Sequence, residues 1–354
     1  MIYRFIVGSY TKNEGHVPDA RGDGISVLEF DGELEICRTL SIASNVINPT
    51  YLALDTEASI VYSVIEESTN NNAVDSWHLS NKGTLNRQSG NNTRGWSGCH
   101  LSITPDNNRL FAASYNDGVL SEYMINRGEI SPLIHEFIYE GSGPTTIRQD
   151  APHAHQVIPD SSGKYIYVCD LGTDTVWMHQ LDSMNEAPAI ALKVPAGFGP
   201  RHLAFDPESN IAYLLCELTP KLLVVEIDQM SSKMEIAQEL DTVSQNRMEK
   251  TAPAAVKIHP SGRTIAVSNR FDDTISVFAI ERSADITLSL IDNFPCRGKT
   301  PRDITFTQDG KILFIANQDS HDIQCRHFSE ISGLPIETWS PKIDIGSPVC
   351  IVMT

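Results

Sequence analysis

The sequence predicts an all-β fold, a seven-bladed β-propeller with four-stranded blades, and three observations lead to it. A short segment recurs about every fifty residues, which is the signature of a repeat architecture with room for four short strands per unit. Apolar residues alternate with period two within the copies, as in residues 165–169 and 274–280, and this indicates strands. The turns between them are rich in Asp, Asn, Ser and Gly, which tolerate positive φ.

Six copies of the segment are internal, and both termini together form a seventh. The residues that we take as opening the turn after the first strand are Thr56, Pro105, Pro159, Pro207, Pro260 and Gln308. Residues 345–353 supply one further strand, and residues 2–8, 24–30 and 34–42 supply three. A blade built from both ends closes the ring without an open sheet edge. We therefore expect one domain over residues 1–354, although length alone would suggest two.

Composition excludes several classes of partner. The formal net charge is −18, and no run of Lys or Arg offers the basic stripe that nucleic-acid binding would need. No apolar stretch approaches membrane-spanning length, and the apolar run at the N-terminus is too short for a signal sequence. Cysteines number seven, and Cys169, Cys216 and Cys350 lie within strand patterns, so we expect buried free thiols. These features predict a cytoplasmic protein without a nucleic-acid or membrane partner.

Three repeat positions are expected to face the central channel or its mouth. The first, six residues before the turn, holds Thr50, Cys99, His153, Arg201, Ala254 and Arg302. The second, at the end of the next strand, holds Glu66, Asn116, Asp170, Glu217, Asn269 and Asn317, with Gly8 or Ser9 in the seventh blade. The third, four residues before the turn, holds Leu52, Leu101, His155, Leu203, Val256 and Ile304, so that His155 stands alone among aliphatic residues.

Arginines at three strand ends indicate an anionic ligand. Arg201, Arg270 and Arg302 fall there in three consecutive blades. A guanidinium stays charged and is costly to bury without an anion, so the cluster favours a small carboxylate or phosphate ligand. The acids and amides of the second position, Glu66 and Asp170 among them, have a structural alternative, because they can satisfy backbone groups at strand ends.

The two histidines of His153-Ala-His155 are candidates for proton transfer. Alternate residues of a strand share a face, which predicts that both imidazoles project together. His153 would then act in acid-base chemistry with His155 supporting it, while the alternative for His155 is a core histidine bonded to a carbonyl. Cys99, His100 and His202 could extend a metal site by repeat position, but no spacing signature joins them. We expect no metal and no cofactor.

An ordered set of motifs over the whole chain resembles the lactonase family of seven-bladed propellers. That family contains the propeller-type 6-phosphogluconolactonases and the 3-carboxy-cis,cis-muconate cyclases. The motifs are Val7-Gly-Ser-Tyr-Thr11, His153-Ala-His155-Gln-Val157, Gly199-Pro-Arg-His-Leu-Ala-Phe205, Cys216-Glu217, Val267-Ser-Asn-Arg270, Pro301-Arg-Asp303 and Ala316-Asn-Gln318. The resemblance implies a metal-independent enzyme whose catalytic His, Arg, Glu and Arg are His153, Arg201, Glu217 and Arg270. We expect His155, His100, Arg302 and Asp170 to bind the substrate.

The sequence thus predicts hydrolysis of a sugar-acid lactone, first among them 6-phosphoglucono-1,5-lactone. Arg201 and Arg270 would hold the anionic group and the developing oxyanion, and Glu217 or His153 would be the general base. A cycloisomerase of an unsaturated dicarboxylate lactone is the alternative enzyme. A non-catalytic propeller would expose a large apolar face, which the scattered positions of the four tryptophans disfavour. Loops within residues 66–98, which include Asn70-Asn-Asn72 and Asn91-Asn-Thr93, are candidates to overhang the channel mouth.

Overall fold

Seven antiparallel sheets arranged in a ring make up the molecule, which confirms the predicted seven-bladed β-propeller. The computed structural model describes residues 1–69, 72–283 and 285–354, so Asn70 and Asn71 lie outside the described residues. Within the described part, no helix is long and apolar enough to cross a membrane. All seven cysteines are free thiols and six of them are buried, as predicted for Cys169, Cys216 and Cys350.

The strands follow one another from the inside of each blade to its outside. The N-terminal strands are β1 (Ile2–Ser9), β2 (Ile25–Asp31) and β3 (Ile36–Ala43); blade 1 is β4 (Leu52–Asp55), β5 (Ile60–Ile65), β6 (Ala73–Leu79) and β7 (Leu85–Asn92); blade 2 is β8 (Gly98–Ile103), β9 (Arg109–Ser114), β10 (Val119–Asn126) and two short outer pieces, β11 (Glu129–Ile130) and β12 (His135–Ile138). Blade 3 is β13 (Ala154–Pro159), β14 (Tyr165–Asp170), β15 (Thr175–Gln180) and β16 (Ala189–Lys193), and blade 4 is β17 (Pro200–Phe205), β18 (Ile211–Cys216), β19 (Lys221–Ile227) and β20 (Met234–Asp241).

The remaining strands complete the ring and close it. Blade 5 is β21 (Ala252–Ile258), β22 (Thr264–Arg270), β23 (Thr274–Arg282) and β24 (Ile286–Pro295); blade 6 is β25 (Pro301–Phe306), β26 (Ile312–Asn317), β27 (Asp322–Phe328) and β28 (Pro335–Asp344); and blade 7 is β29 (Pro348–Met353) followed by β1, β2 and β3. The 3-10 helices found in the described residues, Leu181–Ser183 and Gln245–Lys250, lie between strands. The predicted seam is confirmed, since β29 pairs antiparallel with β1, for example Gly8 with Cys350.

Apolar layers lie between neighbouring blades. In β18, Tyr213 and Leu215 pack towards blade 5, whereas Leu214 and Cys216 pack towards blade 3. A blade is therefore buried on both faces, which explains why its middle strands are apolar at consecutive positions. Because the core lies between the sheets, the central channel is left to the inner strands and can carry polar side chains.

A β-bulge near the start of the inner strand recurs in blades 2 to 6. The pairing with the next strand shifts between Gly98 and His100, Ala154 and Gln156, Pro200 and His202, Pro253 and Val256, and Pro301 and Asp303. A bulge leaves one residue unpaired and re-aims its side chain. In blades 2, 3, 4 and 6 the extra residues are Cys99, His155, Arg201 and Arg302.

This pairing corrects the predicted repeat alignment in blade 3. Val157 pairs with Val168 as Leu203 pairs with Leu214, so Val157 is the aliphatic counterpart of Leu203 and His155 is the counterpart of Arg201. The prediction that placed His153 in the position of Arg201 was wrong because Pro159 is the last residue of β13 and does not open the turn. The innermost strand is a sheet edge, where proline breaks no ladder, so proline occurs both in the strand and in the turn.

Candidate active site

A cavity of about 550 Å³ opens at one mouth of the channel. Two rings of equivalent residues surround the channel at this end, and several members of each ring line the cavity. The mouth ring follows the second strand of each blade and comprises Tyr10, Glu66, Tyr115, Leu171, Glu217, Arg270 and Gln318. The bulge ring, deeper in the channel, comprises Thr50, Cys99, His155, Arg201, Ala254, Arg302 and Val349.

Backbone hydrogen bonds define the mouth ring and correct the second predicted repeat position. The amide of Glu217 donates to Gly199 O (2.8 Å), that of Tyr115 to Ser97 O (2.9 Å) and that of Gln318 to Thr300 O (3.0 Å). Glu217 therefore corresponds to Tyr115, Leu171, Arg270 and Gln318, and the predicted match with Asn116, Asp170, Asn269 and Asn317 was wrong. Each of those four residues is one position away in the sequence from the true counterpart of Glu217. The error arose because, in several blades, residues next to the true counterpart are polar as well.

Glu217 is a buried carboxylate held by three arginines. Its Oε1 accepts from Arg148 Nη2 (2.5 Å), and its Oε2 accepts from Arg201 Nε (2.8 Å) and pairs with Arg270 Nη2 (2.8 Å). Burial by itself would raise the pKa of Glu217, but the charges of Arg270, Arg201 and Arg148 hold that pKa well below its usual range. A carboxylate in this environment stays ionised and is a poor proton acceptor. Its geometry suits the holding of three guanidinium groups.

Arg201 lies below the cavity, in a narrow neck of the channel. Its side chain is 3% exposed, and its Nη1 donates to Ala254 O and lies 3.2 Å from His202 Nε2. Burial, together with the charge of Arg270, lowers the pKa of Arg201 to about 10, so the group remains cationic at neutral pH. Arg270 lines the cavity itself and is fixed by Glu217 and by a bond from its Nε to Ala252 O (3.1 Å).

Arg302 is a cation of the cavity wall that, in the part of the chain described by the structure, is not paired with a carboxylate and has unused donors. Its Nη1 donates to Gln318 Oε1 (3.1 Å), and its guanidinium carbon lies 5.2 Å from the centre of the Tyr10 ring. Among the described residues no carboxylate oxygen lies within 4.0 Å of its nitrogens. A guanidinium has five N–H donors, so most of those of Arg302 are unused.

Glu66 and His155 are two residues of the cavity lining that can accept a proton and, within the residues that the structure describes, are not bonded to an arginine. Glu66 accepts hydrogen bonds from Tyr10 Oη (2.8 Å) and Thr50 Oγ1 (2.5 Å), both neutral hydroxyls. His155 has no hydrogen-bond partner for its Nδ1 in the described part of the chain. Burial, followed by the charges of Arg201 and Arg302, holds the pKa of His155 well below its ordinary value, so the imidazole is neutral.

His153 does not line the cavity. Its Nδ1 lies 2.8 Å from Tyr115 O, and its ring stacks on that of Tyr115 with centroids 4.4 Å apart. His155 meets the same tyrosine edge-on, at 5.7 Å. The prediction that both imidazoles project together assumed regular strand alternation, and the bulge at His155 breaks that alternation. Of the two histidines, only His155 lines the cavity.

Two more predicted substrate ligands lie elsewhere. Asp170 accepts from the backbone of His153 (2.8 Å) and Gly172 (3.0 Å), from Thr173 Oγ1 (2.6 Å) and from Trp177 Nε1 (3.1 Å), which matches the structural alternative. His100 stacks on Tyr51 (3.8 Å) and lines a separate cavity of about 400 Å³ near the opposite ends of the inner strands. The structure therefore brings neither Asp170 nor His100 to the mouth cavity.

Sequence reasoning missed Arg148 and Tyr115. Arg148 lies in the loop between blades 2 and 3, outside the repeat, and joins Glu217 to Tyr115 Oη (3.1 Å). Only its closeness in sequence to His153 could have drawn attention to it. The loop between β1 and β2 of blade 7 also contributes, since Glu14 and His16 line the cavity. Burial and the charges of Arg302 and Arg270 lower the pKa of His16 to about 4.

The described residues contain no group of three or more His, Cys, Asp or Glu side chains placed to hold a metal ion. The cavity is a site of arginines, carboxylates and two imidazoles, those of His155 and His16, whose lowered pKa values leave both neutral at pH 7. Such a set can bind an anion through Arg302, orient a carbonyl oxygen near guanidinium donors, and accept a proton from water at His155 or Glu66.

Comparison with known proteins identifies relatives along the full length of the chain. Residues 4–353 match the family model described as lactonase, 7-bladed β-propeller. A 6-phosphogluconolactonase of Bacillus subtilis is 25% identical over 98% of this chain and 96% of its own length, and one of Formosa agariphila is 27% identical over 90% of each. A Bacteroides fragilis structure provisionally assigned as a 6-phosphogluconolactonase superposes with a TM-score of 0.88 at 27% identity, covering 100% of this chain and 98% of that one.

Proposed function

The chain belongs to the lactonase family of seven-bladed β-propellers, and on that basis we propose that it hydrolyses 6-phosphoglucono-1,5-lactone to 6-phosphogluconate. The observation that carries the proposal is that Arg302, in the wall of the mouth cavity, has unused hydrogen-bond donors. On a chain of net charge −18, such a local cationic site selects an anionic small molecule.

The anionic group of the substrate would lie against Arg302. Arg148 and Arg270 line the same cavity and supply further donors, while Glu217 keeps both in place. Phosphate offers several oxygens to such a cluster, and arginine binds phosphate in a bidentate manner. The guanidinium that is nearest the lactone carbonyl would stabilise the oxyanion as water adds.

Proton transfer is assigned to neither Glu217 nor His153. Glu217 is engaged by three arginines, and His153 stacks behind Tyr115. We assign the acceptance of the proton of the attacking water to His155, whose pKa is held down largely by burial and by arginine charge. An anionic substrate offsets that arginine charge, so binding raises the pKa of His155 and makes it a stronger base when it is needed.

The test is steady-state hydrolysis of 6-phosphogluconolactone, followed by titration of the acid released. Arg302→Met keeps the side-chain length and removes the donors. Arg38→Met on outer strand β3 is the matched control, because Arg38 is 69% exposed and does not line the cavity. We expect Arg302→Met to raise KM at least about tenfold, the loss of one charge-assisted contact, with Arg38→Met unchanged. Equal kinetics for both variants would remove the support for the proposal.

A further inference from the structure

One aromatic residue at the cavity is held in a conformation that aromatic residues rarely adopt. Phe271 follows Arg270, has φ of +67° and is 62% exposed, yet it lines the mouth cavity. A bulky side chain in the left-handed region is strained, and an exposed phenyl ring gains little from burial. Folding alone therefore gives no reason for phenylalanine at this position.

Comparison between blades shows that the architecture does not require this arrangement. The residues that follow the other members of the mouth ring are Thr11, Glu67, Asn116, Gly172, Leu218 and Asp319. None of these six is aromatic and none has a positive φ. The strain at Phe271 is local to the blade that also supplies Arg270, and strain that is retained at a site commonly serves the site.

The ring of Phe271 is positioned by the arginine cluster. The guanidinium carbon of Arg270 lies 5.8 Å from the ring centre, and Arg270 is itself fixed by Glu217 and by Ala252 O. An apolar aromatic face thus stands beside cationic donors in one cavity. This pairing matches a ligand that has an anionic group and a saturated ring whose C–H bonds can lie on an aromatic face.

We propose that Phe271 is a specificity-determining residue that stacks on the ring of a cyclic sugar-derived ligand while the arginines bind its anionic group. This inference rests on the proposed lactone hydrolysis for the identity of the ligand, but ring recognition can be measured without turnover. It predicts that the protein distinguishes cyclic from open-chain ligands through Phe271 and binds free anions without it.

Three variants separate the ring from the backbone strain. Phe271→Gly removes the ring and relieves the strain, Phe271→Tyr keeps the ring, and Ser59→Gly relieves strain at φ +56° in the turn between β4 and β5, on another part of the molecule. We expect Tm to stay level or rise by about 1–2 °C in both glycine variants. Only Phe271→Gly should weaken binding of 6-phospho-D-glucono-1,5-lactam, a cyclic analogue that carries the anionic group and is not readily hydrolysed, by about 3- to 10-fold in calorimetry, and raise KM for the lactone by the same factor.

Inorganic phosphate, which needs only the arginines, should bind equally to the wild type and to Phe271→Gly. Unchanged lactam affinity in Phe271→Gly, failure of Phe271→Tyr to restore it, or absence of lactam binding by the wild type would each overturn the inference. Weaker phosphate binding in Phe271→Gly would also overturn it, because the ring would then act by placing Arg270. If no lactone is hydrolysed but Phe271→Gly still loses lactam affinity, the inference stands and the proposed function fails.

Discussion

Replacing Glu217 with glutamine tests whether this carboxylate holds the arginine cluster or performs proton transfer. The side chain is 4% exposed and bonds to Arg148, Arg201 and Arg270. Glutamine keeps the shape but removes the charge, so Arg201, which is 3% exposed, and Arg270 lose their shared anion. Two buried cations without a counter-charge repel each other, and this destabilises the folded state.

The size of the effect follows from the burial. Removing one partner of a buried ion pair costs about 3–5 kcal/mol. The entropy of unfolding is about 2.1 cal/mol/K per residue, or about 0.74 kcal/mol/K for this chain. We therefore expect Glu217→Gln to lower Tm by about 4–7 °C. Because the guanidinium groups also lose their orientation, kcat/KM should fall at least about tenfold.

The assay combines thermal unfolding with pH–rate profiles, and Glu122→Gln is the control. Glu122 is a fully buried carboxylate in blade 2, bonded to Arg109 (3.2 Å) and His135 (2.7 Å) and outside the cavity lining. Its variant should lose stability and keep KM. For Glu217→Gln, the acid limb of kcat/KM should persist, with its midpoint unchanged or moved to lower pH, because Glu217 is not the base and the loss of its negative charge leaves more arginine charge to lower the pKa of His155. A variant with the wild-type Tm that loses only kcat would refute this reasoning and make Glu217 the base.

Three further outcomes are expected. Burial keeps the pKa values of His100, His155 and His202 below the ordinary 6.5, so these histidines bind fewer protons in the folded state than in the unfolded state. Their contribution to stability is therefore full above pH 6.5 and is lost as the pH falls below it. Between pH 8 and pH 5, the Tm of His202→Gln should drop less steeply than that of the wild type. Arg148→Met should reduce kcat/KM with a smaller Tm loss than Glu217→Gln, because Arg148 is 42% exposed; equal losses of Tm would contradict this. EDTA should leave activity unchanged, and a loss that added zinc restores would show a metal requirement.

The blades could be predicted from the sequence because alternation and turn chemistry are local. The seam was predictable for the same reason, since Gly8 and Cys350 each lie in a recognisable strand that lacks partners at its own end of the chain. The alignment within blade 3 failed because proline is tolerated both in an edge strand and in the following turn. Pro159 therefore could not mark the turn, and His153 was compared with residues that correspond to His155.

The candidate site was predictable where charge alone identified a residue. Arg201 and Arg302 stand out because no other residue of the bulge ring carries a permanent charge, Arg270 stands out as a cation at a strand end, and Glu217 was distinguished by family resemblance. Which of them carries free donors could not be predicted, because it depends on partners brought together by the closed ring. Arg148 could not be placed at all, since a loop outside the repeat has no counterpart to compare with.

The most direct measurement is acid release from fresh 6-phosphogluconolactone beside unphosphorylated gluconolactone, each compared with its spontaneous rate. We predict rapid turnover of the phosphorylated lactone, with kcat/KM at least about tenfold higher than for the unphosphorylated one, because the difference is the phosphate bound at Arg302. Acceleration of neither lactone would contradict the proposed activity. Equal acceleration of both would contradict the role of the arginine cluster.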